Sequence, residues 1–123
     1  MAGRVSAVLF VRDLERMLAF YSALLAEPCV YQDTYHGVIR CGSFALDLQR
    51  LPAGSDDDAV PRGRDRAALK LVFPVDSIPR ARRVAAEYGA ELDPAPPRWV
   101  VDEQKICLGR DPEGNVFQLQ EDD

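Results

Sequence analysis

With 123 residues, 47% of them hydrophobic, the chain is sized for one domain whose core needs neither disulfides nor a structural metal. Its formal net charge of −5 sets it against nucleic acid, and no basic patch compensates: Arg62, Arg64 and Arg66 alternate with acids or sit beside Asp56, Asp57 and Asp58. No apolar run approaches the roughly 18 residues a membrane crossing needs, so neither nucleic acid nor a membrane is an expected partner.

Residues 1–10 carry Arg4 but neither an apolar h-region nor a cleavage site, so no signal peptide and a cytoplasmic location are expected. Val5 to Val11 reads as a nearly all-apolar strand, as when both faces are covered. Asp13 stands where a helix N-cap belongs, and Leu14, Met17, Leu18, Tyr21 and Leu25 follow at helical spacing. Phe20 and Leu24 widen that stripe, and Pro28 lies past its end. Three short strands are expected next, near Val30–Asp33, Tyr35–Cys41 and Phe44–Arg50. In the last, Phe44, Leu46 and Leu48 alternate with Ala45, Asp47 and Gln49, the pattern of a half-buried strand. Residues 51–65, with Pro52, Gly54, Pro61 and Gly63, read as a linker loop.

The pattern then restarts. Ala67 to Val75 reads as a strand, and Asp76 or Ser77 caps a helix bearing Ile78, Ala81, Ala85 and Tyr88 on one face. Pro79 suits the first turn and Gly89 a left-handed C-cap. Strands are expected near Arg98–Val101, Gln104–Arg110 and Val116–Glu121, the last two joined by a turn over Asp111-Pro112-Glu113-Gly114-Asn115. The order is βαβββ, linker, βαβββ, with module one at residues 4–50, module two at 66–121 and a single domain over 1–123. Cys29, Cys41 and Cys107 are odd in number and widely spaced, which points to structural thiols and not to disulfides or a zinc motif.

Three segments make the duplication specific: Val11-Arg12-Asp13-Leu14-Glu15-Arg16 leading to Phe20-Tyr21 and Leu24-Leu25; Phe73-Pro74-Val75-Asp76; and Asp111-Pro112-Glu113-Gly114-Asn115-Val116-Phe117-Gln118-Leu119. In this order and spacing the chain resembles the vicinal oxygen chelate superfamily, which includes glyoxalases, bleomycin-resistance proteins and extradiol dioxygenases. The resemblance implies an α+β fold: two βαβββ modules forming a curved eight-stranded mixed sheet around a cavity, with one helix per module on the outside. It also implies a homodimer, because the family builds its cavities from paired or swapped modules.

Metal-using members hold a divalent ion through the first and last strands of each module. Those positions fall here on Ser6, Asp47, Lys70 and Gln118. Serine is a weak ligand and a lysine ammonium offers no lone pair, so no metal and no other cofactor are expected. Strand parity adds Gln49, Gln120 and Phe10 to the same lining, with Trp99, Tyr31 and Tyr35 as aromatic walls or ordinary core residues. Lys70 and Asp47 either pair as ions, orient a polar ligand, or leave Lys70 as a nucleophile or base. The resemblance thus points to a binding protein for a small aromatic or cationic compound, such as an antibiotic. The rival is a glyoxalase-like lyase, isomerase or dioxygenase whose metal uses a shifted set, for example Asp47, Gln118, His36 or Glu121. A non-catalytic partner module is a third reading.

Overall fold

The computed structural model describes residues 5–52, 69–94 and 105–121. The chain divides into two compact units, residues 1–55 and 56–123. Each is an α+β unit with one helix and one four-stranded mixed sheet.

The first unit runs β1 (Val5–Val11), α1 (Leu14–Leu25), β2 (Cys29–Gln32), β3 (His36–Cys41) and β4 (Phe44–Arg50). Its sheet order is β1-β4-β3-β2, with β1 and β4 parallel and the other pairs antiparallel. The Asp13 side chain accepts the Arg16 N–H and so starts α1, while Ala26, at φ 54°, ends it in the left-handed region before Pro28 can disturb it. The apolar stripe Leu14, Met17, Leu18, Tyr21, Leu24 and Leu25 is buried, as are Val11, Ile39, Leu46 and Leu48. Helix α1 packs on β3 and β4, and Gly37 on β3 leaves the space that Leu18 fills.

The second unit runs β5 (Leu71–Val75), α2 (Ile78–Tyr88), β6 (Glu91–Leu92), β7 (Ile106–Arg110) and β8 (Val116–Glu121). Its sheet order, β5-β8-β7-β6, repeats the first, again with one parallel pair, β5 with β8. Ser77, not Asp76, is the N-cap: its hydroxyl accepts the Arg80 N–H, with Pro79 in the first turn. A second device reinforces this end, since Glu121 accepts the Ile78 N–H at 2.8 Å. Gly89, at φ 81°, closes the helix.

Three strand expectations change. Residues 69 and 70 precede β5 without joining it, so Lys70 stands just before the strand. The two-residue β6 was not foreseen. The strand expected near Arg98–Val101 lies outside the described residues, and so does Trp99. No described helix is long and apolar enough to cross a membrane.

The Asp111–Asn115 turn joins β7 to β8 through one carboxylate. Asp111 is buried, and its Oδ1 accepts from Glu113 N at 2.9 Å and from Asn115 N at 3.0 Å. Asn115 Nδ2 donates to both carboxylate oxygens, and Gly114 supplies the positive φ, 90°.

Candidate functional site

In each unit the helix covers one sheet face and the strand register defines the other, open face. In the first sheet one row crosses all four strands: Val8 beside Asp47, Asp47 beside Val38, Val38 beside Tyr31. The next row is Phe10, Gln49 and His36; on the other side stand Ser6, Ala45 and Arg40. Partnered residues share a face, so Ser6, Phe10, Tyr31, Asp47 and Gln49 lie on one surface. That surface is unusually apolar for an exposed one, with Val8 49%, Phe10 51% and Tyr31 51% exposed.

The second sheet repeats the plan. Val72 lies beside Gln118 and Gln118 beside Leu108, while Pro74, Gln120 and Ile106 form the next row. Val72 is 50% exposed, Gln118 only 8%. Val72–Gln118 is the counterpart of Val8–Asp47, and Lys70 stands one pleat before Val72 as Ser6 stands before Val8. The duplication therefore extends to the positions that bear the candidate polar groups.

Asp47 carries an unfilled hydrogen-bonding capacity. Among the described residues, its Oδ2 receives a long 3.5 Å contact from Gln49 Nε2, and its Oδ1, an enclosed atom, has no partner. No ion pair with Arg40, on the same face, satisfies it among the described residues. Asp47 is half-buried, and an enclosed carboxylate oxygen costs free energy unless something supplies a donor.

One edge of this face is organised by Asp33, a residue the sequence reading passed over. In the β2–β3 connection its Oδ1 accepts from Tyr35 N at 2.8 Å and His36 N at 2.9 Å, while Tyr31 Oη donates to its Oδ2 at 2.8 Å. His36 Nδ1 lies 3.2 Å from Asp33 Oδ1, and the Tyr31 and His36 rings sit 5.0 Å apart. The signal was present: an aspartate between two strands, able to bond the backbone two and three residues on. The His36 N–H, then the Tyr31 hydroxyl and the Tyr35 N–H, lower the Asp33 carboxyl from 3.8 to about 2. The same bond raises the Tyr31 phenol, whose proton Asp33 holds.

The sign of the resulting pH dependence is fixed. A depressed carboxyl contributes stability fully above its ordinary value of 3.8, and loses it as pH falls through about 2. The difference in unfolding free energy between the wild type and Asp33→Asn should therefore shrink between those values. A difference independent of pH would show that the charge is not its source.

The fold family's divalent metal can be tested against these residues. Asp47 is a good ligand and Gln118 a tolerable one, but Ser6 is neutral and Lys70 offers only a cation, so the set does not fit such an ion. No cluster of three or more His, Cys, Asp or Glu groups suited to a metal occurs among the described residues. The shifted set also loses a member. Glu121 aligns with Val75 on the helix side, where it accepts from Ile78 N and pairs with Lys105 at 3.2 Å; both bonds lower its pKa.

A duplicated βαβββ chain with these motifs and sheets is a member of the vicinal oxygen chelate superfamily. Within it, the profile of the glyoxalase-like domain matches residues 6–120, and the chain belongs to that family. No curated protein sequence matches significantly. Among solved structures, a glyoxalase/bleomycin resistance protein/dioxygenase family enzyme from Burkholderia phytofirmans PsJN is 20% identical, with TM-score 0.70 and 98% of each chain covered. The fosfomycin resistance protein FosX of Mesorhizobium loti is 18% identical, with TM-score 0.65, covering 100% of this chain and 92% of its own. FosX of Listeria monocytogenes, complexed with Mn(II) and sulfate, is 17% identical, with TM-score 0.71 and coverages of 100% and 92%. At these identities the likeness is one of fold.

Proposed function

We propose that this chain is a metal-independent small-molecule-binding protein of the glyoxalase/bleomycin-resistance type, acting in the cytoplasm as a homodimer. Its open sheet faces take an aromatic or cationic compound, an antibiotic among the candidates. The observation that carries the reading is Asp47: a carboxylate with an oxygen unpartnered among the described residues, on a face whose neighbours Val8, Phe10 and Tyr31 are exposed. A flat ligand resting on Tyr31 and Phe10 would bring an N–H donor to it, and burial of the rings would supply most of the affinity. Tyr31 and Asp47 stand two strand spacings apart, roughly 10 Å, the span of a two- or three-ring compound. On that face Gln49 and Ser6 would supply polar contacts that fix orientation, and Gln118, Gln120 and Lys70 hold the corresponding places on the second sheet.

The second reading is a metal-dependent lyase, isomerase or dioxygenase, and the Mn(II) complex of the Listeria relative is the observation that favours it. It requires ligands other than Glu121, and it must take His36 with its Nδ1 already beside Asp33.

Calorimetric titration of planar aromatic amines, each paired with an uncharged analogue, separates binding from its absence. Amines should bind the wild type, and Asp47→Asn should weaken them about tenfold, the worth of one charge-assisted hydrogen bond. Binding that ignores Asp47→Asn would remove the carboxylate from the site.

A further inference from the structure

The second unit has a cleft of about 430 Å³ beside α2, away from Val72 and Gln118 on the open face. Ile78, Pro79 and Ile106 give it apolar walls, Arg82, Lys105 and Glu121 charged ones, and Cys107 lies among them. Its volume is in the range of small-ligand pockets. The charges do not cancel. Lys105 pairs with Glu121 at 3.2 Å, and Glu121 is further engaged by the Ile78 N–H. Arg82 is half-buried, and among the described residues its guanidinium donates to the Cys107 thiol alone, Nη2 to Sγ 3.7 Å. Among the described residues no carboxylate pairs with it. A guanidinium presents five donors in a planar fork, and drawing it from water without an anion is unfavourable.

We infer that this cleft binds a small organic monoanion, with its carboxylate on the Arg82 guanidinium and a compact apolar body against Ile78, Pro79 and Ile106. The site is distinct from the sheet-face reading: Ile106, beside Gln120, is the one residue the cleft has in common with that face, and Arg82 has no part in it. Phenylacetate and its neutral isostere phenylacetamide are suitable probes, titrated into the full ¹⁵N-labelled chain. Phenylacetate should shift the amide resonances of Ile78, Arg82, Ile106 and Cys107 and raise Tm, while phenylacetamide should do neither at the same concentration. Arg82→Gln should weaken binding at least about tenfold, and Arg82→Lys, which keeps the charge but not the fork, should retain part of it. Ligand-free melting of both variants verifies that they fold. The inference is overturned by equal binding of the amide, by full binding to folded Arg82→Gln, by no response, or by shifts confined to residues such as Val8, Phe10 and Val72.

Discussion

Asp111→Ala is expected to lower Tm by roughly 12 °C, about 3 kcal/mol at about 4 °C per kcal/mol for a domain of this size. The wild-type carboxylate accepts from Glu113 N, Asn115 N and Asn115 Nδ2, and both Asp111 and Asn115 are buried. Alanine leaves those donors without the acceptor, and the two on Asn115 are buried with little access to water. The turn also holds β7 against β8, which carries Phe117, Gln118 and Leu119, so its loss should spread into the second core. Asp111→Asn should fall between, since it keeps one acceptor oxygen but sets an NH2 group against Asn115 Nδ2. Thermal melting of the three proteins checks this. A loss under about 1 kcal/mol for Asp111→Ala would mean that the turn is held by its backbone bonds alone.

Gly109→Ala should cost about 2–3 kcal/mol, the upper part of the range for overpacking. An added Cβ would lie 2.5 Å from Leu92 Cδ2, 2.8 Å from the Glu91 carbonyl oxygen and 3.0 Å from Phe117 Cε1. Leu92 can turn away; the Glu91 carbonyl cannot, because β6 is paired to β7 at this point. Gly37→Ala provides the internal control. There the three atoms nearest the added Cβ all belong to Leu18, with Cδ1 at 2.5 Å and Cδ2 at 2.7 Å, and a leucine side chain can change rotamer. Gly37→Ala should therefore cost about 1 kcal/mol, less than Gly109→Ala. The reverse order in chemical denaturation would show that α1 is the more rigid partner.

Much of the fold was readable because its signals are local. The alternation in Phe44–Arg50 places Asp47 and Gln49 on the face opposite Leu46 and Leu48, and the register sets them beside Val8 and Phe10. Asp13, Pro79 and Gly89 act at the helix ends as their chemistry demands. Strand β6 escaped because two residues cannot display a period; only its pairing with Gly109 and Arg110 makes it a strand. Side-chain bonds between distant residues escaped for a different reason. Nothing in the sequence links Glu121 to the first turn of α2, 43 positions earlier, so a residue offered as a ligand proved to be a helix cap. The Arg82–Cys107 contact has the same character.

The central claim, that the chain binds a small molecule without a metal, is tested most directly by metal analysis of tag-free protein joined to melting with added Mn(II), Zn(II), Ni(II) and Fe(II). A metal bound at 100 times its Kd would stabilise the fold by about 2.7 kcal/mol, an unmistakable shift in Tm. The account predicts no stoichiometric metal and no such shift, because of the proposed positions Lys70 offers an ammonium with no lone pair and Ser6 only a neutral hydroxyl, a weak ligand. One metal per chain, with a matching rise in Tm, would contradict it and make the metalloenzyme reading the correct one.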